Sequence, residues 1–123
     1  MYIYPFEKLE VWQLAKKLVI DVYKLTSIFP AEEKFGLVSQ MRRAAVSICS
    51  NLAEGSGRNT SKDQAYFYGM AYSSVMELLN QILISSDLNW IKETDVLKLR
   101  HQIETVSMKI NSLRKATVNK ENN

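Results

Sequence analysis

The sequence predicts an all-α protein, an antiparallel up-down-up-down four-helix bundle that assembles into a homo-oligomer. Three observations predict the fold. Apolar residues recur three and four positions apart in four successive segments. Glycine (4) and proline (2) are scarce, which favours long elements joined by few turns. No segment alternates in the strand period, and the gaps between periodic segments are short, so consecutive helices must run antiparallel.

The first helix is expected from about Phe6 to Ile28, ended by Pro30, which cannot continue a helix. Val11, Leu14, Ala15, Leu18, Val19, Val22 and Leu25 share a wide face, with Glu10, Gln13, Lys17, Asp21 and Lys24 opposite. The second is expected from about Glu32 to Glu54, with Gly55 and Gly57 as its stop. The third should begin at Ser61, an N-cap with Gln64 three places on completing a capping box. Phe67, Ala71, Val75, Leu78 and Ile82 form its inner stripe, down to about Leu88.

The fourth helix carries a heptad seam: Val96, Leu99, Ile103, Val106, Ile110, Leu113 and Thr117. Thr94 is its expected N-cap, and Arg100, Lys109 and Arg114 flank the seam. The segment "TVNKENN" reads as disordered, giving one domain over 1–118 and a flexible tail over 119–123.

Composition narrows the class further. At 123 residues the chain is one domain, and at 46% hydrophobic residues it can fill a core. The long uncharged run that includes Ala65 to Met76 is too short and too polar to span a bilayer, so no membrane role is expected. "MYIYPFEKLE" has no apolar run after a basic start, so no secretion signal is expected. The single cysteine, Cys49, excludes an internal disulfide and suits a reducing compartment such as the cytoplasm. The net charge of +3 comes entirely from residues 89–123, with 7 basic against 4 acidic side chains. That excess reads as a solvated C-terminal helix with a frayed basic tail in preference to a weak patch for an anionic partner.

The stretch "QMRRAAVSICSNLAEGSGR", Gln40 to Arg58, is the least ordinary. On a wheel of about 100° per residue it has three faces. Leu37, Met41, Ala44, Ile48 and Leu52 form a core stripe. Val46, Cys49 and Ala53, headed by Arg42, form a second apolar stripe that wants a partner and reads as an oligomer interface. Between them runs a polar ladder of Gln40, Arg43, Ser47, Asn51, Glu54 and Arg58. Arg43, Ser47, Asn51 and Glu54, with Glu77 of the third helix, are expected to form one structural network. Glu54 precedes Arg58 by four, the favourable order for a helical ion pair.

No catalytic constellation is visible. The only histidine, His101, has no glutamate three before it, against the Glu-x-x-His motif of di-metal bundles. "EGSGR" lacks the Lys-Ser/Thr and the preceding strand of a phosphate loop. Cys49 has no histidine near it in sequence and reads as a packed side chain. No enzyme, cofactor or metal is therefore expected.

"LEVWQLAKKL", "FPAEEKFGLVSQMRRAAVSICSNLAEGSGR" and "MAYSSVMELL" strongly resemble one family, the four-helix bundle proteins encoded in intervening sequences of bacterial 23S rRNA genes. Leu9, Val11, Trp12 and Ala15 match its first motif. Gln40, Arg43, Ala44, Ala45, Ser47, Ile48, Asn51, Ala53, Glu54 and Gly55 match its second, Arg58 follows as in the family, and Ser74 with Glu77 matches the third. Cys49 stands where the family usually has proline, and Ser73 where it often has glycine. The resemblance implies a bacterial cytoplasmic homopentamer. The sequence is also similar to the accessory variability protein of diversity-generating retroelements, a pentameric barrel that binds nucleic acid and a reverse transcriptase. The expected function is thus a nucleic-acid-binding accessory protein contacting RNA or DNA phosphates through Arg42, Arg58 and Lys62, and through Arg100, Lys109 and Arg114. The alternative is a scaffold for a protein partner, without nucleic acid.

Overall fold

A computed structural model describes residues 1–121. It contains four α-helices: α1 Glu10–Thr26, α2 Leu37–Ser56, α3 Ser61–Asp87 and α4 Glu93–Glu121. Among the described residues there is no strand. Each helix packs on its chain neighbours, and α1 closes the bundle against α4.

Side chains fix the antiparallel sense. Ser47 of α2 meets Ser74 of α3, while Met41 meets Ser85. Glu10 at the start of α1 pairs with Lys109 of α4 at 2.8 Å, while Asp21 near its end accepts from Gln102 at 2.9 Å. Burial alone would push the Asp21 carboxyl up. The bonds from Lys17 and Gln102 outweigh it and hold the group below the ordinary carboxylate range.

The core is the expected one in its centre. Leu18 and Val22 of α1, Met41, Ile48 and Leu52 of α2, Val75, Leu78 and Ile82 of α3, and Val106 and Ile110 of α4 are fully buried. The α4 seam is buried from Val96 to Ile110, and Leu113 packs against it. In α3 the buried positions at this end are Ala65 and Tyr68, in place of the expected Phe67, which is half-buried.

The element ends differ from expectation. A 3-10 turn over Pro5–Lys8 precedes α1, separated from it by extended Leu9. Phe6 folds back edge-on to Trp12, ring centroids 5.0 Å apart, a contact that a continuous helix would forbid. Likewise Ala31–Glu33 is a 3-10 turn, and Gly36 leaves helical geometry before α2 begins. The N-cap of α3 is Thr60, one residue before the expected Ser61; its hydroxyl accepts from the Asp63 amide at 3.1 Å. Gln64 reaches the Arg58 carbonyl instead of completing a box. Between α3 and α4, Asn89 takes the left-handed conformation (φ 63°), which asparagine tolerates better than most residues.

Helix α4 starts at Glu93, so Thr94 lies inside it, and the Val96 amide bonds the Lys92 carbonyl. It continues into the segment expected to be disordered, as far as Glu121. Thr117 is buried, and its hydroxyl donates to the Leu113 carbonyl at 2.8 Å. Of the expected tail 119–123, residues 122–123 lie outside the described residues.

Candidate functional site

Helix α2 touches both α1 and α3, and this decides the fate of its three faces. One member of the second apolar stripe, Cys49, lies beside α1. Cys49 packs on the core and feels Lys16 of α1; Ala53 is half-buried; only Val46 is exposed. Burial pushes the Cys49 thiol up to about 11, against the smaller pull of Lys16, so it stays protonated at neutral pH. Within one chain, then, Cys49 is packed, Ala53 is half-buried and Val46 is open to solvent.

The polar ladder divides. In its middle, Ser47 and Ser74 share a hydroxyl–hydroxyl bond at 2.9 Å across the α2–α3 seam. Asn51 Nδ2 donates to the Ser47 carbonyl at 2.9 Å and to its Oγ at 3.0 Å. The Ser74 hydroxyl also reaches the Met70 carbonyl. The expected outer members do not join them. Glu54 is exposed and meets only Arg58, at 3.9 Å. Glu77 accepts from Gln81 at 3.3 Å, and Arg43 is exposed with no ion pair among the described residues.

The six candidate phosphate contacts fare unequally. Arg42 is committed to α1: Nε donates to Thr26 Oγ1 at 2.9 Å and Nη2 to the Tyr23 carbonyl at 3.2 Å. Its guanidinium lies 4.5 Å over the Tyr23 ring. A cation there satisfies an end carbonyl of α1 and complements the helix dipole. Arg58 stacks on Phe67 at 4.4 Å, Lys109 pairs with Glu10, and the Arg114 guanidinium lies against Gly69 of α3. Lys62 and Arg100 are exposed. Replacing Arg42 by alanine should destabilise the fold by about 1.5–3 kcal/mol, the range for hydrogen bonds to a charged group. Urea unfolding checks this; no change would mean that the arginine is free for a ligand.

The structure gathers a site that the sequence reading only partly named. An open groove of about 690 Å³ is lined by Tyr23, Val38, Val46, three cations (Lys34, Arg42 and Arg43), Phe35 and the hydroxyls of Ser39, Ser47 and Ser50. Among the described residues no carboxylate lines it. At the start of α2 the Leu37 amide donates to Glu33 Oε1 at 3.4 Å, so a carboxylate already meets the positive pole of that helix. Phe35 is 88% exposed. Sequence reasoning placed it inside a continuous helix; the signal available was an aromatic off every core stripe, beside a lysine and before a glycine.

Among the described residues, no cluster of three or more metal-ligating side chains occurs, and no helix is long and apolar enough to cross a membrane. The helix order and antiparallel packing define a four-helix bundle protein. Residues 7–112 match the family described as 23S rRNA-intervening sequence protein. The chain belongs to that family. A crystal structure of a protein with unknown function from the S23 ribosomal protein family of Bacteroides thetaiotaomicron shares the fold, with a TM-score of 0.77 over 85% of this chain and 98% of that one, at 15% identity. No curated protein matches the chain.

Proposed function

We propose that this protein is a non-enzymatic, homo-oligomeric, nucleic-acid-binding accessory protein of the bacterial cytoplasm. The carrying observation is the α1–α2 groove: three cations and no lining carboxylate among the described residues. Cations in such a setting attract phosphate without reading sequence. One groove is a weak site, and copies in an oligomer multiply it through effective concentration. The α3 flank supports assembly, because Tyr66, Met70, Ile84 and Leu88 all lie exposed along one side of that helix. The family resemblance supports five copies.

The test is titration of labelled single- and double-stranded RNA and DNA at two salt concentrations, with the mass of the protein followed by light scattering. The expected result is an oligomer whose binding weakens steeply with salt. An oligomer that binds nothing at low salt would remove the nucleic-acid reading. The second reading is a protein-binding scaffold, favoured by exposed Leu97 and Met108 on α4, which no contact in the bundle requires.

A further inference from the structure

The α1–α2 groove contains more than charge, and the additional features discriminate between nucleic-acid forms. Phe35 presents nearly its whole ring to solvent, with the Lys34 ammonium 5.5 Å from its centroid. Tyr23 also lines the groove, 43% exposed, its ring held by Arg42. Arg42 is itself fixed by Thr26 Oγ1 and the Tyr23 carbonyl. One wall is therefore pre-organised, while Arg43 is an exposed cation with no ion pair among the described residues. Ser39 and Ser50 supply exposed hydroxyls on the same side of α2. A volume of about 690 Å³ falls in the range of small-ligand sites. A ring offered face-on beside cations suits a ligand with a flat π-face next to an anion. A nucleotide unit has both.

In a duplex the base faces are hidden in the stack, and only phosphates and groove edges are presented. In a single strand the bases can splay out and stack on an aromatic side chain while the backbone follows the cations. We infer that this groove binds single-stranded nucleic acid, with a base stacked on Phe35 and the adjoining phosphates held by Lys34 and Arg43. This inference rests on the nucleic-acid reading above and makes it specific: the protein prefers single strands, and the preference resides in Phe35.

The experiment compares a short labelled oligouridylate with an RNA duplex of equal length. Each is titrated at two salt concentrations against the wild-type chain and the variants Phe35→Ala, Phe35→Trp and Arg43→Gln. Circular dichroism and light scattering accompany every variant. The expected result is at least tenfold tighter binding of the single strand. Phe35→Ala should lose about tenfold of that affinity with an unchanged salt dependence, because stacking is lost and no phosphate contact is. Phe35→Trp should retain it. Arg43→Gln should flatten the salt dependence by about one phosphate contact per groove.

Equal binding of both forms with Phe35→Ala indistinguishable from wild type would overturn this inference and leave the proposed function standing. No binding of either form at low salt by the intact oligomer would overturn both. A change in assembly size on Phe35→Ala would also overturn it, by showing that the ring is a contact between copies. Since Phe35 is so exposed, its removal leaves the bundle folded.

Discussion

Ile48→Ala is expected to destabilise the protein by about 2–5 kcal/mol, the range for deleting a buried aliphatic side chain and leaving a cavity. Ile48 sits near the middle of α2 and is fully buried, and α2 packs against both α1 and α3. The hole therefore opens where two helix interfaces meet, and neither neighbour can close on it without parting from the other. The loss combines apolar area returned to water on unfolding with contacts that the cavity lining forfeits in the folded state. In urea the midpoint should fall while the slope stays constant, since the surface exposed on unfolding barely changes. At fixed protein concentration the melting temperature should drop by roughly 10–20 °C for a domain of this size. A loss below about 1 kcal/mol would show that this face of α2 is not in the core.

The wheel found that face because one angular arc of α2 holds Met41, Ala44, Ile48 and Leu52, all buried. It could not say what lies beyond the arc. Cys49 packs on the core beside Lys16 of α1, so the chain itself occupies that part of the stripe, while Val46 stays exposed. In the polar ladder the angle from the core direction grows from Asn51 (about 80°) through Ser47 (about 120°) and Glu54 (about 140°) to Arg43 (about 160°). The first two enter the α2–α3 seam, and the outer two remain in solvent. Residues in a row along a helix thus separate into a seam and a surface within one turn. The heptad seam of α4 was fully legible, because seven positions repeat one contact.

Ends were less legible for the same reason. Thr60 and Ser61 are equally good caps by residue type, and only the extended backbone at Thr60 selects it. The break at Leu9 accompanies the Phe6–Trp12 contact, which is tertiary. Because the chain leaves helical geometry at Gly36, Phe35 falls outside α2 and faces the groove. The candidate site was hidden by one boundary error, whereas Arg42 and Arg43 were visible as residues from the start.

Gly55→Val should cost about 3 kcal/mol or more, and Gly55→Ala fixes the sign of the effect. Gly55 is buried in the last turn of α2, against α3. A Cβ there would lie 2.7 Å from Tyr68 Cε1, 2.9 Å from its Cδ1 and 3.1 Å from Phe67 Cβ. The Tyr68 ring is buried, so it has little room to retreat, and Phe67 Cβ is fixed to the α3 backbone. The missing side chain thus sets how closely α2 and α3 approach at this end. Alanine brings a helix-propensity gain of about 1 kcal/mol over glycine, against roughly 1–3 kcal/mol for overpacking. The net should be a loss of up to about 2 kcal/mol. Valine adds two methyl groups at the tightest point and is a poorer helix former, so its loss exceeds alanine's. Shortening the obstacle tests the cause. In a Tyr68→Leu background, Gly55→Ala should cost less than in wild type, and the difference, about 0.5–3 kcal/mol, is the coupling between the two positions. Chemical denaturation of the four proteins measures it. A Gly55→Ala variant more stable than wild type, with no coupling to Tyr68, would place α2 and α3 farther apart than the structure does.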